Sequence, residues 1–312
     1  MRFQGLIWTV GLSAAAACWL GWPAATEPPR GPSSEEIRAE AAARAERSLA
    51  WADAESQAAL ELAPLDKFFS DVKSHTPQFA DAVLGFGSKW RFVADKMPFT
   101  RGDRHAEFLR AAFSGHLFTP DDLSRAVEQI ARSYVDSLSA IENQMLVKLR
   151  ADLSDLPPAV LPQFSDQATL SAAYQEALVR TLDHIGADLK ADVSQELVSL
   201  VAGEVLTQAA VRLGVSAGIL GVGAGTSWAT LGAGLVVGLI VDQLVSWIWD
   251  WWADPSGNLA AELNAKLDQL HALIVDGDGA SPGLKAALAD FARRRAELRR
   301  AAILEMLRSD GI

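Results

Sequence analysis

The amino-acid sequence predicts an all-α chain: an elongated multi-helix bundle with an N-terminal transmembrane or signal segment and a glycine-rich apolar helical hairpin. Three observations lead there. Apolar residues recur every three or four positions through most of the chain, the spacing of one face of a helix. Capping residues and prolines stand where helices start and stop. Strand signals are close to absent, with no sustained alternation and no Asn-Gly turn, and no repeat at solenoid spacing is found.

The first element is apolar. After Met1-Arg2, the run from Phe3 to Pro23 carries no charge; its 21 residues would span about 30 Å as a helix, the thickness of a bilayer core. Trp8, Trp19 and Trp22 suit helix ends at the headgroups. Arg2 and the α-amine mark the cytoplasmic side, so the body is expected outside the cytoplasm, periplasmic or extracytoplasmic. Residues 1–24 are read first as a membrane anchor and second as a cleaved signal. Third comes a segment lipidated at Cys18, the single cysteine. Residues 25–32 belong to a proline-rich, extended tether.

A helical region is expected over 33–118. Ser33 and Glu36 form a capping box, and an Ala/Glu/Arg-rich helix follows to about Ala63, ended by Pro64. Shorter helices fit 65–75, 78–96 and 103–117, punctuated by Pro77, Pro98 and Gly102. A long-helix bundle is expected over 119–312. Thr119-Pro120-Asp121-Asp122 is a helix start, with a cap, a proline and acids at the positive helix end. From Leu123 through Val127, Ile130, Tyr134, Leu138, Ile141, Met145, Leu149 and Leu153 to Leu156 one apolar stripe runs until Pro157-Pro158, about 50 Å of helix. Another start at Ser165 leads through Leu170, Tyr174 and Leu178 toward the apolar region. Leu259, Leu263, Leu267, Leu270 and Ile274 mark a helix after Asp254-Pro255-Ser256-Gly257. A loop at 276–283 precedes a basic helix over 284–309.

The informative stretch is 205–252. Between Arg212 and Asp242 lie 29 uncharged residues holding three glycine pairs four apart: Gly214/Gly218, Gly221/Gly225 and Gly234/Gly238. Small residues at that spacing let helix backbones approach closely. Gly225-Thr226-Ser227 is the expected turn, and Arg212 and Asp242, equidistant from Ser227, are expected to pair across the hairpin. Trp228, Trp247, Trp249, Trp251 and Trp252 fit a membrane-interface belt. Glu204, Gln208 and Arg212 make one polar stripe, which would face a partner helix or water. The rival reading of the same residues is a hairpin buried inside the bundle. Residues 205–252 resemble an architecture seen in colicin-like and other helical toxins, which implies an insertable hairpin.

Charge bounds the partners. The net charge of −11 argues against nucleic acid, since that affinity rests on neutralising phosphates. Residues 284–312 alone carry +3, which leaves −14 elsewhere. That basic helix is either a solvated face or a contact with acidic protein or lipid headgroups. Chemistry-bearing patterns are missing. His75, His105, His116, His184 and His271 are scattered without metal-ligand spacing. Gly221-Val222-Gly223-Ala224-Gly225 follows a helix and is not followed by a P-loop lysine. Asp276-Gly277-Asp278-Gly279 starts like a calcium loop, but its twelfth position is Ala287 instead of glutamate. No catalytic, cofactor or metal residues are assigned, and no enzyme is expected. The expectation is a structural or interaction protein of a bacterial-type cell envelope. It would meet membrane lipid, partner helices or its own copies. A helical pore-former inserting 205–252 is the alternative.

Overall fold

The computed structural model describes residues 31–85, 104–185, 193–216, 234, 236–241, 244 and 258–308. These are mostly helical, as expected. α1 is Ser34–Ala58, α2 Ala63–Ser74, α3 Thr76–Leu84, α4 Arg104–His116 and α5 Pro120–Asp152. A 3-10 turn at Pro162–Phe164 leads to α6, Gln167–Ile185, and α7 is Val193–Ser216. Residues 236–241 are helical, α8 is Leu259–Val275 and α9 is Leu284–Arg308. Between α8 and α9, Gly277–Asp278 pairs antiparallel with Ser281–Pro282.

Local chemistry sets the helix starts. Ser33 Oγ accepts from the Glu36 amide while the Glu36 carboxylate accepts from the Ser33 amide, and Thr119 and Asp122 do the same at α5. Two proline expectations are corrected. Pro64 sits in the first turn of α2 and α1 has already stopped at Ala58; Pro77 likewise lies in the first turn of α3. A first-turn amide has no helical acceptor, so proline starts a helix there at little cost. The described part of the expected 78–96 helix is α3, capped at Gly85. α5 ends one turn before Leu156.

Cross-helix bonds give the packing directions. Tyr134 Oη donates to the Ser56 carbonyl, whereas Arg44 Nη1 reaches the carbonyl of Asp152. α1 and α5 therefore run antiparallel. α2 and α8 are also antiparallel: His271 Nε2 lies 2.9 Å from Asp66 Oδ1 and Lys73 Nζ lies 2.7 Å from Asp268 Oδ1.

Buried apolar side chains form two clusters. The first gathers α2, α3, α4, the N-terminal half of α5, α7, residues 236–241, Leu244 and α8, with Leu284, Leu288 and Ala292 of α9. The second gathers α1, the C-terminal half of α5, α6, and Leu298, Ala302, Ile303, Met306 and Leu307 of α9. Only α5 and α9, among the described residues, place side chains in both. No helix of the described residues is long and apolar enough to cross a membrane. Residues 1–24 and most of the tether lie outside the described residues.

Candidate functional site

The arms of the expected 205–252 hairpin are described in part, and their buried apolar side chains belong to the first core. On α7, Val205, Leu206, Ala209, Ala210 and Leu213 are buried. From the other side of the run, Val236, Val237, Ile240, Val241 and Leu244 are buried in the same cluster. α7 begins well before residue 205 and carries Glu196, Glu204 and Arg212 along its length. The expected polar stripe lies along this helix. Glu204 is exposed, Gln208 and Arg212 are half-buried, and Gln208 Nε2 donates to Glu204 Oε1.

Arg212, the last charge before the uncharged run, has partners that the sequence reading did not name. Its Nε lies 3.1 Å from Asp278 Oδ2, and Nε and Nη2 both donate to Ser281 Oγ at 3.3 and 3.2 Å. Asp242, the expected partner, lies outside the described residues. So do Gly218, Gly221, Gly225, the turn at Gly225-Thr226-Ser227, and Trp228, Trp247, Trp249, Trp251 and Trp252. Gly214 lies in α7. At Gly234 and Gly238 a Cβ would meet no heavy atom within 4 Å.

The loop that holds Arg212 is built on two crowded glycines. Gly277 has φ +75°, and a Cβ there would fall 2.2 Å from the Ser281 carbonyl oxygen. At Gly283 a Cβ would fall 2.3 Å from the Gly277 nitrogen. Asp278 Oδ1 accepts from the amides of Ala280 and Ser281, an Asx-type turn, which leaves Oδ2 for Arg212. The segment that begins like a calcium loop therefore uses its carboxylates otherwise, with Asp276 paired to Lys285 at 2.7 Å. No group of three or more metal-ligating side chains occurs among the described residues.

A second cluster lies between the two cores and was not anticipated. Glu142 of α5 is 4% exposed. Arg295 of α9 grips it through both carboxylate oxygens, Nε at 2.7 Å and Nη2 at 2.8 Å. One turn on, Arg299 is 1% exposed, donates through Nη2 to Asp53 of α1 and places Nη1 3.7 Å from Glu142. Tyr174 of α6 completes the layer. Burial pushes its phenol far above the ordinary range, with Glu142 adding to the shift. The hydrogen bonds that Arg295 donates to Glu142 hold its guanidinium above the ordinary arginine value. The network is only partly satisfied: Arg299 Nε finds no hydrogen-bond partner.

The basic helix is thus not a uniformly solvated face. Arg295 and Arg299 point into the bundle, Arg300 pairs with Glu46 of α1 at 2.9 Å, and Arg293 and Arg294 pair with Asp290. A signal was present in the sequence. Leu288, Ala292, Arg295, Arg299, Ala302 and Met306 recur at core spacing, as do Leu138, Glu142 and Met145 on α5. Charge at a core position of a helical stripe is the mark of a buried pair.

Of the histidines, His271 joins α8 to α2 beside Phe69, with ring centroids 4.9 Å apart. His75 Nδ1 bonds locally to the Asp71 carbonyl. An apolar hollow of about 380 Å³ lies among Pro64, Phe68, Leu117 and Phe118, rimmed by Asp122 and Arg125. No protein-family description, curated protein or solved structure matches this chain.

Proposed function

We propose that this chain is a non-enzymatic, membrane-tethered structural or interaction protein of a bacterial-type cell envelope. Its helical body would stand outside the cytoplasm and meet partner helices, its own copies or lipid. One observation carries this reading. The uncharged run Phe3–Pro23, preceded by Arg2 and bounded by tryptophans, has the length and polarity of a bilayer helix and leads through a proline-rich tether into the bundle. The body supports it by what its polar groups do. They cap helices and join helix to helix, and no nucleophile–base arrangement stands out in the sequence. Fractionating cells that express the full chain or the chain without residues 1–24 tests the reading. The full chain is expected in the membrane fraction and the deletion only partly so, because the 205–252 region is a second apolar device. A full chain recovered entirely in the soluble fraction would refute the tether.

A second reading, a helical membrane-perturbing protein, is favoured by one specific arrangement. The uncharged run between Arg212 and Asp242 is bracketed by arms whose described apolar side chains are buried in the first core, an apolar stretch joined to a bundle rich in charge on its surface. Release of an entrapped dye from liposomes by the 25–312 fragment is the expected result under this reading. Intact vesicles at saturating protein would leave the tether-and-partner reading alone.

A further inference from the structure

We propose that the bundle opens in two separate steps, with the buried layer of Glu142, Arg295, Arg299, Asp53 and Tyr174 as the seam, and that the first core opens while the second stays folded. This goes beyond both functional readings, since it concerns the chain's own motion and not the surface that the opened core would meet.

Three independent observations meet at the seam. The apolar clusters end on either side of it: Leu138 belongs to the first core and Met145 to the second, with Glu142 between them. On α9 the same change falls between Ala292 and Leu298, with Arg295 between. Side chains therefore interlock within each core, while ion pairs and hydrogen bonds join the two. Unlike apolar packing, those bonds can be exchanged for bonds to water when the seam opens. The layer is also unevenly satisfied. Arg299 Nε finds no hydrogen-bond partner and its Nη1 stands 3.7 Å from Glu142, so water reaching this guanidinium stabilises the opened state more than the closed one.

The two sides are unequally built, and this decides the order of opening. The second core rests on α1, 25 residues with a complete capping box, and on the C-terminal halves of the two longest shared helices. The first side also holds α7 and α8, 24 and 17 residues long with Asn258 capping α8, but its outer helices α2 and α3 are only 12 and 9 residues long and neither has a side-chain cap at its start. Opening energies in a fold range from near zero to the global value and follow such differences in local support. α1 follows the tether, so the part that stays folded is the part nearest residues 1–32. The part that opens contains α7 and the start of the uncharged run.

Native-state hydrogen exchange on the full chain in lipid nanodiscs, read by peptide mass spectrometry, tests this. Amides of α2, α3, α7 and α8 are expected to exchange as one group, at least about tenfold faster than those of α1, α6 and residues 298–307. Leu267→Ala, in the first core and away from the seam, should speed the first group and leave the second unchanged. In Glu142→Leu/Arg295→Leu/Arg299→Met the seam becomes apolar, and the two groups should move to a single rate. One common rate in the natural chain overturns the proposal, as does a Leu267→Ala effect spread equally over both cores. Two groups persisting at unchanged rates in the apolar-seam variant would overturn it as well. Should that variant not fold, the natural chain and Leu267→Ala still decide the outcome.

Discussion

Glu142 occupies a position in α5 where the helical spacing calls for an apolar side chain, and its burial makes it dependent on α9. A buried carboxylate is tolerable only when it is paired, and Arg295 supplies two bonds in the bidentate geometry that suits a guanidinium. Removing one partner of such a pair costs about 3–5 kcal/mol, whereas replacing both with apolar residues is often neutral. Glu142→Leu is therefore expected to lower stability strongly, and Glu142→Leu/Arg295→Leu by far less than the two single changes summed. Chemical denaturation of the four proteins measures this, and additive effects would show that the two side chains act independently. Glycines give a sharper contrast. Gly277→Ala must place a Cβ 2.2 Å from a carbonyl oxygen at φ +75°, so it should cost more than about 1 kcal/mol and loosen the Asp278 turn that holds Arg212. Gly234→Ala meets open space within a helix and should instead stabilise by about 0.5–1 kcal/mol. A melting temperature lowered equally by both changes would contradict this.

Among the elements, the helix starts are the most directly written. Thr119 Oγ1 and the Asp122 carboxylate satisfy each other's backbone amides at the head of α5, and Thr119→Ala should cost about 1 kcal/mol. The Asp122 carboxyl is held below its ordinary range, first by the Thr119 hydroxyl, then by the Thr119 amide and Arg125. A depressed folded value means stability that is complete above the unfolded value, near about 3.9, and lost as pH falls through the lower folded value. The side chain is 41% exposed, so solvent screening keeps this contribution modest. Asp122→Asn should flatten the acid side of the stability curve below about pH 4, and an unchanged acid limb would sink the assignment. The same directness explains which elements were legible. The Ser33 capping box, the helix start at Thr119, the α5 and α8 stripes and the extent of α9 follow from spacing and caps. Pro64 was misread because proline ends one helix and begins the next with equal ease, and only packing tells which. Arg295 and Arg299 were misread for another reason. Net charge describes a segment, while burial depends on which face each arginine occupies, and their acidic partners are more than a hundred residues away. The clasp of Arg212 with Asp278 and Ser281 was hidden in the same way, since a loop of Asp and Gly gives no hint of the helix that folds against it.

At the scale of the whole molecule, α5 and α9 act as common members of two cores, and this makes the C-terminus structurally decisive. Residues 293–308 of α9 carry Leu298, Ile303, Met306 and Leu307, each no more than 5% exposed. Burying such a side chain contributes about 1.5–3 kcal/mol, so the four together rival the about 5–15 kcal/mol that a folded domain holds in reserve. The same segment carries Arg295, Arg299 and Arg300, and losing them would strand Glu142 in the interior and leave Asp53 and Glu46 without their partners. A chain truncated after Ala292 therefore loses apolar cover and charge compensation at once. The first core, which takes only Leu284, Leu288 and Ala292 from α9, keeps its share. The expected result is a chain that retains most of its helical far-ultraviolet signal, loses its cooperative thermal transition over α1 and α6, and binds a hydrophobic dye, the signature of packing lost while helices remain. Removing residues 309–312, which lie beyond the end of α9, is the control and should leave the melting temperature unchanged. If the chain truncated after Ala292 melts cooperatively within a few degrees of the full one, the second core does not depend on α9. Arg295 and Arg299 would then be ornaments on a bundle held by α1, α5 and α6 alone.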